Sequence, residues 1–532
     1  MANFHVPFFE GLTPKKEPLL LKDTEATTCE NARLDRGHLE PWRGLKAEGS
    51  TGTGAKTIFK YGSQWLHWSN TVDVVKTPVV ADEYDRIYFT GDGNPKYTYQ
   101  GRPSAAGAAN GFQLGIPAPS ATVSAVSSQT SGSFEEDRYY VFTYVSPLGE
   151  EGPPSAPSTK ITVADSASVA VTFTTEAIGS YNLGTGAHRR LYRTGTGTTS
   201  TEYQFVADIA IGTLTYSDTK LLETLGEVLP SISWDPPPHS GTAGLGPLQG
   251  IITLTNGFLA GFVGNTLCFS EQYMPSAWPS PYRMSFDSDI VGLGVAGNSV
   301  IVLTETYPYM VSGGSPIEMG AVRIESAQAC VNKASIVDGG EYLIYASPDG
   351  LMGVSEAGVK NLTEAILTRS QWETYSPDTL VGLYYEDMYL GVSSTGAFFI
   401  DRAGTLTDLT GLTLVSGVND LLQDKLYVLL SGGVIKSFNE GTALSAKWKS
   451  KTFRSSRPSS IGMCELEVDG STTFKLYGSN GALKHTQSFT TGIHKFRTPS
   501  GELSNDWAFE VSGTGTVKYV TLASTTMELV SG

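Results

Sequence analysis

Short apolar runs, each bounded by Gly, Asn, Asp or Ser, recur along the chain with the spacing of strands and turns and not of helices. Five segments share one form: a turn, an apolar strand, a second turn and a second strand ending in a polar residue. They read "NGFLAGFVGNTLCFSE" from Asn256, "GNSVIVLTETYPYMVSG" from Gly297, "GGEYLIYASPDGLMGVSE" from Gly339, "EDMYLGVSSTGAFFIDR" from Glu386 and "QDKLYVLLSGGVIKSFNE" from Gln423. Their starts lie 41, 42, 47 and 37 residues apart, and "YDRIYFTGDGNPKYTYQ" from Tyr84 has the same form. A hairpin repeat of this period predicts a β-propeller of five to six irregular blades, each hairpin supplying two middle strands. Alternation within "DKLYVLLS" and "EYLIYAS" is weak, as expected of strands covered on both faces.

Residues 117–235 change character. "RYYVFTYVSPLGEEGPPSAPSTKITV" and "HRRLYRTGTGTTSTEYQFVADIAIGTLTYSDT" are Tyr-rich strands punctuated by Pro, Gly and Ser, which predicts an inserted β-sandwich of fibronectin type III kind. From "AKWKSKTFRSSRPSS" onward, about six alternating strands predict a second sandwich. The expected fold is all-β. Its divisions are an N-terminal arm (1–56), the first part of the propeller (57–116), the inserted sandwich (117–235), the main blades (236–445) and a C-terminal sandwich (446–532).

Composition adds limits. With 40% hydrophobic and 17% charged residues over 532 positions, the chain can build several packed cores. Its net charge of −16 lacks the basic footprint that a clinging nucleic-acid binder needs, although an acidic wall lets DNA slide past. Cys29, Cys268, Cys330 and Cys464 are too dispersed for a zinc site or a disulfide scaffold, which fits a reducing compartment. No leader of signal type and no apolar run of membrane-spanning length is seen, so synthesis in the cytosol as a soluble protein is expected.

Chemistry-bearing motifs are weak. "GLGVAG" at 292–297 fits the dinucleotide pattern but runs into a strand and not a helix. Asp287 and Asp289 in "DSD" lack the further oxygen ligands of a calcium loop, and "SPDGLMG" at 347–353 lacks the aromatic that closes a sialidase Asp-box. The seven histidines have no metal-ligand spacing, and neither a nucleophile elbow nor a phosphate loop occurs. No catalytic, cofactor or metal residue is expected, and the chain reads as a non-enzyme.

Several runs do resemble a known family. "ENARLDRGHLEPWRG", "YVFTYVSPLGEEGPPS", "GFLAGFVGNTLCFSEQYMPSAWP", "DIVGLGVAGNSVIVLTETYPYMVSG", "ESAQACVNKASIV" and "YASPDGLMGVS" are similar to the β-propeller tail nozzle or tail-tube virion proteins of short-tailed bacteriophages. The resemblance covers roughly residues 28–365. It implies a structural protein of the virion tail, assembled in the host cytoplasm as a ring of six copies below the portal and its adaptor. Viral DNA would pass through the lumen without sequence-specific binding, and the role would be tail assembly, genome retention and ejection. The alternative function is a carbohydrate-binding adhesin or tailspike-like propeller, against which the Trp residues count by not recurring at the blade period.

Two stretches supply candidate interface residues. In "ENARLDRGHLEPWRG", Arg33, Arg36 and Arg43 with the anchor Trp42 form either a docking strand for a partner's carboxylates or an arm packed on its own propeller. In "FSEQYMPSAWPSPYRM", Tyr273, Trp278 and Tyr282 are rigid anchors on a loop that three prolines hold extended. That loop reads first as a joint between blades, then as a subunit or adaptor contact, and last as a ligand pocket.

Overall fold

The computed structural model of the chain describes residues 3–102, 111–196, 201–326, 328–499 and 501–530. It is an all-β protein with a propeller at its centre. Each of the six repeated segments forms the middle of a run of four antiparallel strands; five of the runs are four-stranded sheets, and the fifth continues into a ten-stranded sheet of the C-terminal sandwich. In chain order the sheets begin at Asp73–Lys76, Gln249–Thr253, Ile290–Ala296, Val337–Asp338, Val381–Tyr385 and Ser416–Asp420. A two-stranded hairpin, Thr57–Tyr61 with Gln64–Trp68, lies between the sixth sheet and the first.

Burial explains the faint alternation of the blade strands. In Ser299–Thr304 all six residues are buried, because a sheet stands against each face. Neighbouring sheets share a hydrophobic cluster at every joint of the ring. Phe262 and Phe269 meet Val300 and Val302; Leu303 meets Leu343 and Tyr345; Leu390 and Phe399 meet Leu426 and Val428. The hairpin bridges the gap through Ile58 against Leu429 on one side and Trp68 against Phe89 on the other. Local turns set the registers: Glu386 and Asp387, with φ of 45° and 62°, make the tight two-residue reversal between Tyr385 and Met388.

The sixth sheet is completed by Lys46–Ser50, which pairs antiparallel with Val434–Ser437. The contact is close. Gly433 has φ of +81°, and a Cβ there would strike the carbonyl of Gly52. We expect Gly433→Ala to cost about 1–3 kcal/mol and to loosen the 46–50 strand. Denaturant unfolding together with limited proteolysis checks this, and unchanged protection of residues 46–56 would contradict it.

The inserted sandwich leaves the ring between the first and second sheets. Ser124–Ser127, Val169–Thr172 and Thr215–Asp218 form one sheet; Tyr140–Val145, His188–Thr196 and Thr201–Ala210 form the other. Phe142, Val171, Phe173 and Leu191 fill the space between. The C-terminal sandwich is built from both terminal regions. Asn3–Val6 pairs with Thr516–Ala523, and Ala26–Glu30 pairs with Ala446–Ser450, around a core of Phe9, Trp448, Phe474 and Phe509. Residues 1–56, expected as an arm, thus contribute strands to the C-terminal sandwich and to the sixth sheet. A parallel pair, Glu30 with Asp408, joins the fifth sheet to that sandwich. Among the described residues, no helix is long and apolar enough to cross a membrane.

Candidate functional site

The loop 270–282 connects the third strand of the second sheet, Thr266–Phe269, to its last, Arg283–Ser285, and the chain reaches the third sheet at Ile290. Trp278 is 1% exposed and packs with Tyr88, Tyr97, Leu114, Leu248 and Leu259, which belong to the first and second sheets and their flanks. Its indole N–H donates to the Pro275 carbonyl at 2.8 Å, and its backbone N–H donates to Asp235 at 2.7 Å. Tyr282 donates its hydroxyl to Glu271 at 3.1 Å. Tyr273 is half exposed, with φ of 56° and its ring over Gly257, where a Cβ would collide with it. Trp278 therefore seats the loop between blades, while Tyr273 and Met274 stay open to solvent.

The residues of the N-terminal stretch are engaged within the chain. Arg33 clamps Asp35 through Nε at 2.8 Å, reaches Glu386 at 2.6 Å and lies over the Trp42 ring at 5.2 Å. Trp42 is buried and stacks on Phe399 at 4.7 Å. Arg43 donates to the Gly441 carbonyl at 2.8 Å, and Arg36 stays exposed, 3.7 Å from Glu40. Arg33, Trp42 and Arg43 are thus held by contacts within the chain, with Glu386, Phe399 and Gly441.

A buried polar joint fixes the inserted sandwich to the ring. Glu150, 8% exposed, accepts from Arg86 at 3.1 Å, from the Tyr97 hydroxyl at 2.9 Å and from Ser146 at 3.2 Å. Asn182 donates in turn to the Tyr97 oxygen at 3.0 Å, and Arg86 also holds Asp82 at 2.8 Å. Burial pushes the Glu150 carboxyl above the usual range, against the pull of Arg86 and Tyr97. Sequence reading missed this joint, whose parts stand 64 positions apart; its one signal is a Glu pair inside the Tyr-rich run "YVFTYVSPLGEEG".

An open cavity of about 370 Å³ with largely apolar walls lies between the fourth and fifth sheets. Ile344, Val354, Tyr389 and Ile400 line it, and Tyr342 and Arg402 stand at its edge. Arg402 donates to the Tyr342 hydroxyl at 3.2 Å, lies 5.0 Å from that ring and stands 3.6 Å from Asp387. Tyr384 donates to Asp387 at 2.5 Å. An aromatic ring beside a guanidinium and a carboxylate offers stacking and directional hydrogen bonds, the chemistry of binding.

No protein-family model matches the chain, and no curated protein matches it in sequence. Among solved structures it is similar to PorZ, a bacterial surface component of the type IX secretion system of Porphyromonas gingivalis, with 11% identity, a TM-score of 0.27, 82% of this chain covered and 63% of PorZ. The extracellular domain of BT4673 from B. thetaiotaomicron matches at 11% identity and a TM-score of 0.27, over 91% of this chain and 66% of that one. YCF48 from Cyanidioschyzon merolae matches at 12% identity and a TM-score of 0.22, over 82% and 98%. The chain spans just under two thirds of the length of the first two.

Proposed function

We propose that this protein is a non-enzymatic structural component of a short-tailed phage tail, one of several copies that surround the DNA exit channel. The observation that carries the reading is the stitching of the chain. Strands at 3–6, 26–30 and 46–50 pair antiparallel with strands drawn from residues 434–523, so ring and sandwich are tied into one body. Such a body resists being pulled apart, which suits a wall around a pressurised genome. The resemblance over residues 28–365 supports the same assignment. Charge fits as well: residues 236–445 carry twenty Asp and Glu against eight Lys and Arg, and a negative wall keeps DNA from adhering. The test is imaging of particles that contain this chain. Copies of the propeller arranged around a lumen wide enough for duplex DNA, below the portal and adaptor, are expected; peripheral fibre-like density would overturn the reading.

One feature favours a second reading, recognition of a host glycan. The Tyr342–Arg402–Asp387 edge of the inter-blade cavity is the kind of surface on which a sugar ring stacks. Titration with host surface polysaccharide decides: saturable binding that Tyr342→Ala abolishes would favour the adhesin, and its absence would leave the tail wall.

A further inference from the structure

Charge is spread unevenly over the molecule. Against the acidic blades, residues 446–532 hold ten Lys and Arg and seven Asp and Glu; residues 3–30, which complete the same sandwich, add three Lys and five Asp and Glu and bring it close to neutral. The contrast in charge is local, at two sheet edges. On the sandwich, Gly492–Arg497 is the last strand of its sheet and, among the described residues, pairs only with Met463–Asp469. Its Ile493 is 61% exposed, Lys495 faces solvent while touching Glu465 at 3.3 Å, and exposed Arg497 has no ion pair among the described residues. On the ring, Gly320–Arg323 is the last strand of the third sheet and, among the described residues, pairs only with Pro308–Ser312. All four of its residues are exposed; Val322 and the nearby Ile317 are bare aliphatics at 59% and 70% exposure. Glu318 and Glu325 flank the strand, exposed and without an ion pair among the described residues. Arg323 is turned onto the Tyr307 ring at 4.7 Å.

An open edge presents unpaired N–H and C=O groups, and charges placed on it discourage pairing with its own kind. Here the two edges carry charges of opposite sign around exposed aliphatic side chains. Each edge repels a copy of itself and attracts the other. We propose that the Gly492–Arg497 edge of one copy pairs with the Gly320–Arg323 edge of a second copy. In the antiparallel register that sets Ile493 over Val322, Arg497 would stand opposite Glu318, with Lys495 one pleat away beside Gly320. Because the two edges differ, the contact is head-to-tail and repeats until it closes into a ring or runs on as a helix. The proposal rests on the tail-wall reading and names the contact that would build the wall.

Full-length Val322→Cys and Ile493→Cys proteins test it, since the four native cysteines are all buried. The two are made separately with tags of different size, mixed at high concentration and oxidised mildly. The mixed pair is expected to give roughly tenfold more disulfide-linked dimer than either protein alone, because like edges repel. Glu318→Lys should abolish the link, and adding Arg497→Glu on the other partner should restore it. Equal linking in all mixtures, monomers throughout in sedimentation, or linking that the charge swap does not restore would each overturn the proposal. A particle image with copies on the DNA axis joined through other edges, or through an adaptor seated on these, would overturn this contact while sparing the tail-wall reading. Off-axis density would overturn the reading itself.

Discussion

Replacing Trp278 with Ala is expected to lower stability by about 3–5 kcal/mol, the range for truncating a fully buried large aromatic. The site has little freedom to collapse into the space left. The indole touches side chains from two sheets and hydrogen-bonds the Pro275 carbonyl, and its backbone is tied to Asp235 at the exit from the inserted sandwich. Three parts of the molecule would have to shift together to fill the void. Trp278→Phe keeps most of the apolar contact and loses only the N–H bond, so it should cost a fraction of the Ala change. Denaturant unfolding of the full chain measures both, and an unchanged midpoint for Trp278→Ala would mean that the loop is not a joint.

Arg86→Ala should be comparably severe, at about 3–5 kcal/mol, because it strands charges that are already buried. Arg86 neutralises Glu150 and Asp82 together, and the side chains of both carboxylates are almost wholly enclosed. The pH dependence identifies the cause. Burial raises the Glu150 pKa in the folded state, so the folded chain binds a proton at a pH where the unfolded chain has released it. This group's contribution is therefore fully present below the unfolded carboxyl pKa and is lost as pH rises through the folded value. Removing Arg86 widens that window, so the variant should regain stability relative to wild type on acidification. Adding Glu150→Gln should recover part of the loss at neutral pH, a coupling that a double-mutant cycle reads directly. A deficit independent of pH and unaffected by Glu150→Gln would assign the cost to packing alone.

Much of the ring was legible because each blade carries its own local signal. The turn, strand, turn, strand pattern from Tyr84 to Gln423 locates the middle of all six four-strand runs. What escaped was pairing between distant segments. "KAEGS" at 46–50 has no apolar alternation, since it is an exposed outer strand placed by Val434–Ser437 alone. Asn3–Val6 and Ala26–Glu30 are strands by virtue of partners near residues 446–450 and 516–523, which no local window contains. The same limit governs the candidate sites. Trp278 announces itself as a large aromatic in a Pro-rich loop, whereas the Arg86–Glu150 joint and the Tyr342–Arg402 edge arise only when separate repeats and the insert meet.

The outer strand of the sixth sheet also sets a timetable for folding. Lys46–Ser50 leaves the ribosome early, yet its partner Val434–Ser437 follows roughly 380 residues later. At typical synthesis rates that is a wait of roughly 20–80 s. Ring closure is accordingly a late, long-range and slow event, taken after the other sheets can have formed. A greasy strand left alone that long would invite wrong partners, whereas Lys46, Glu48, Gly49 and Ser50 keep this one hydrated until its place exists.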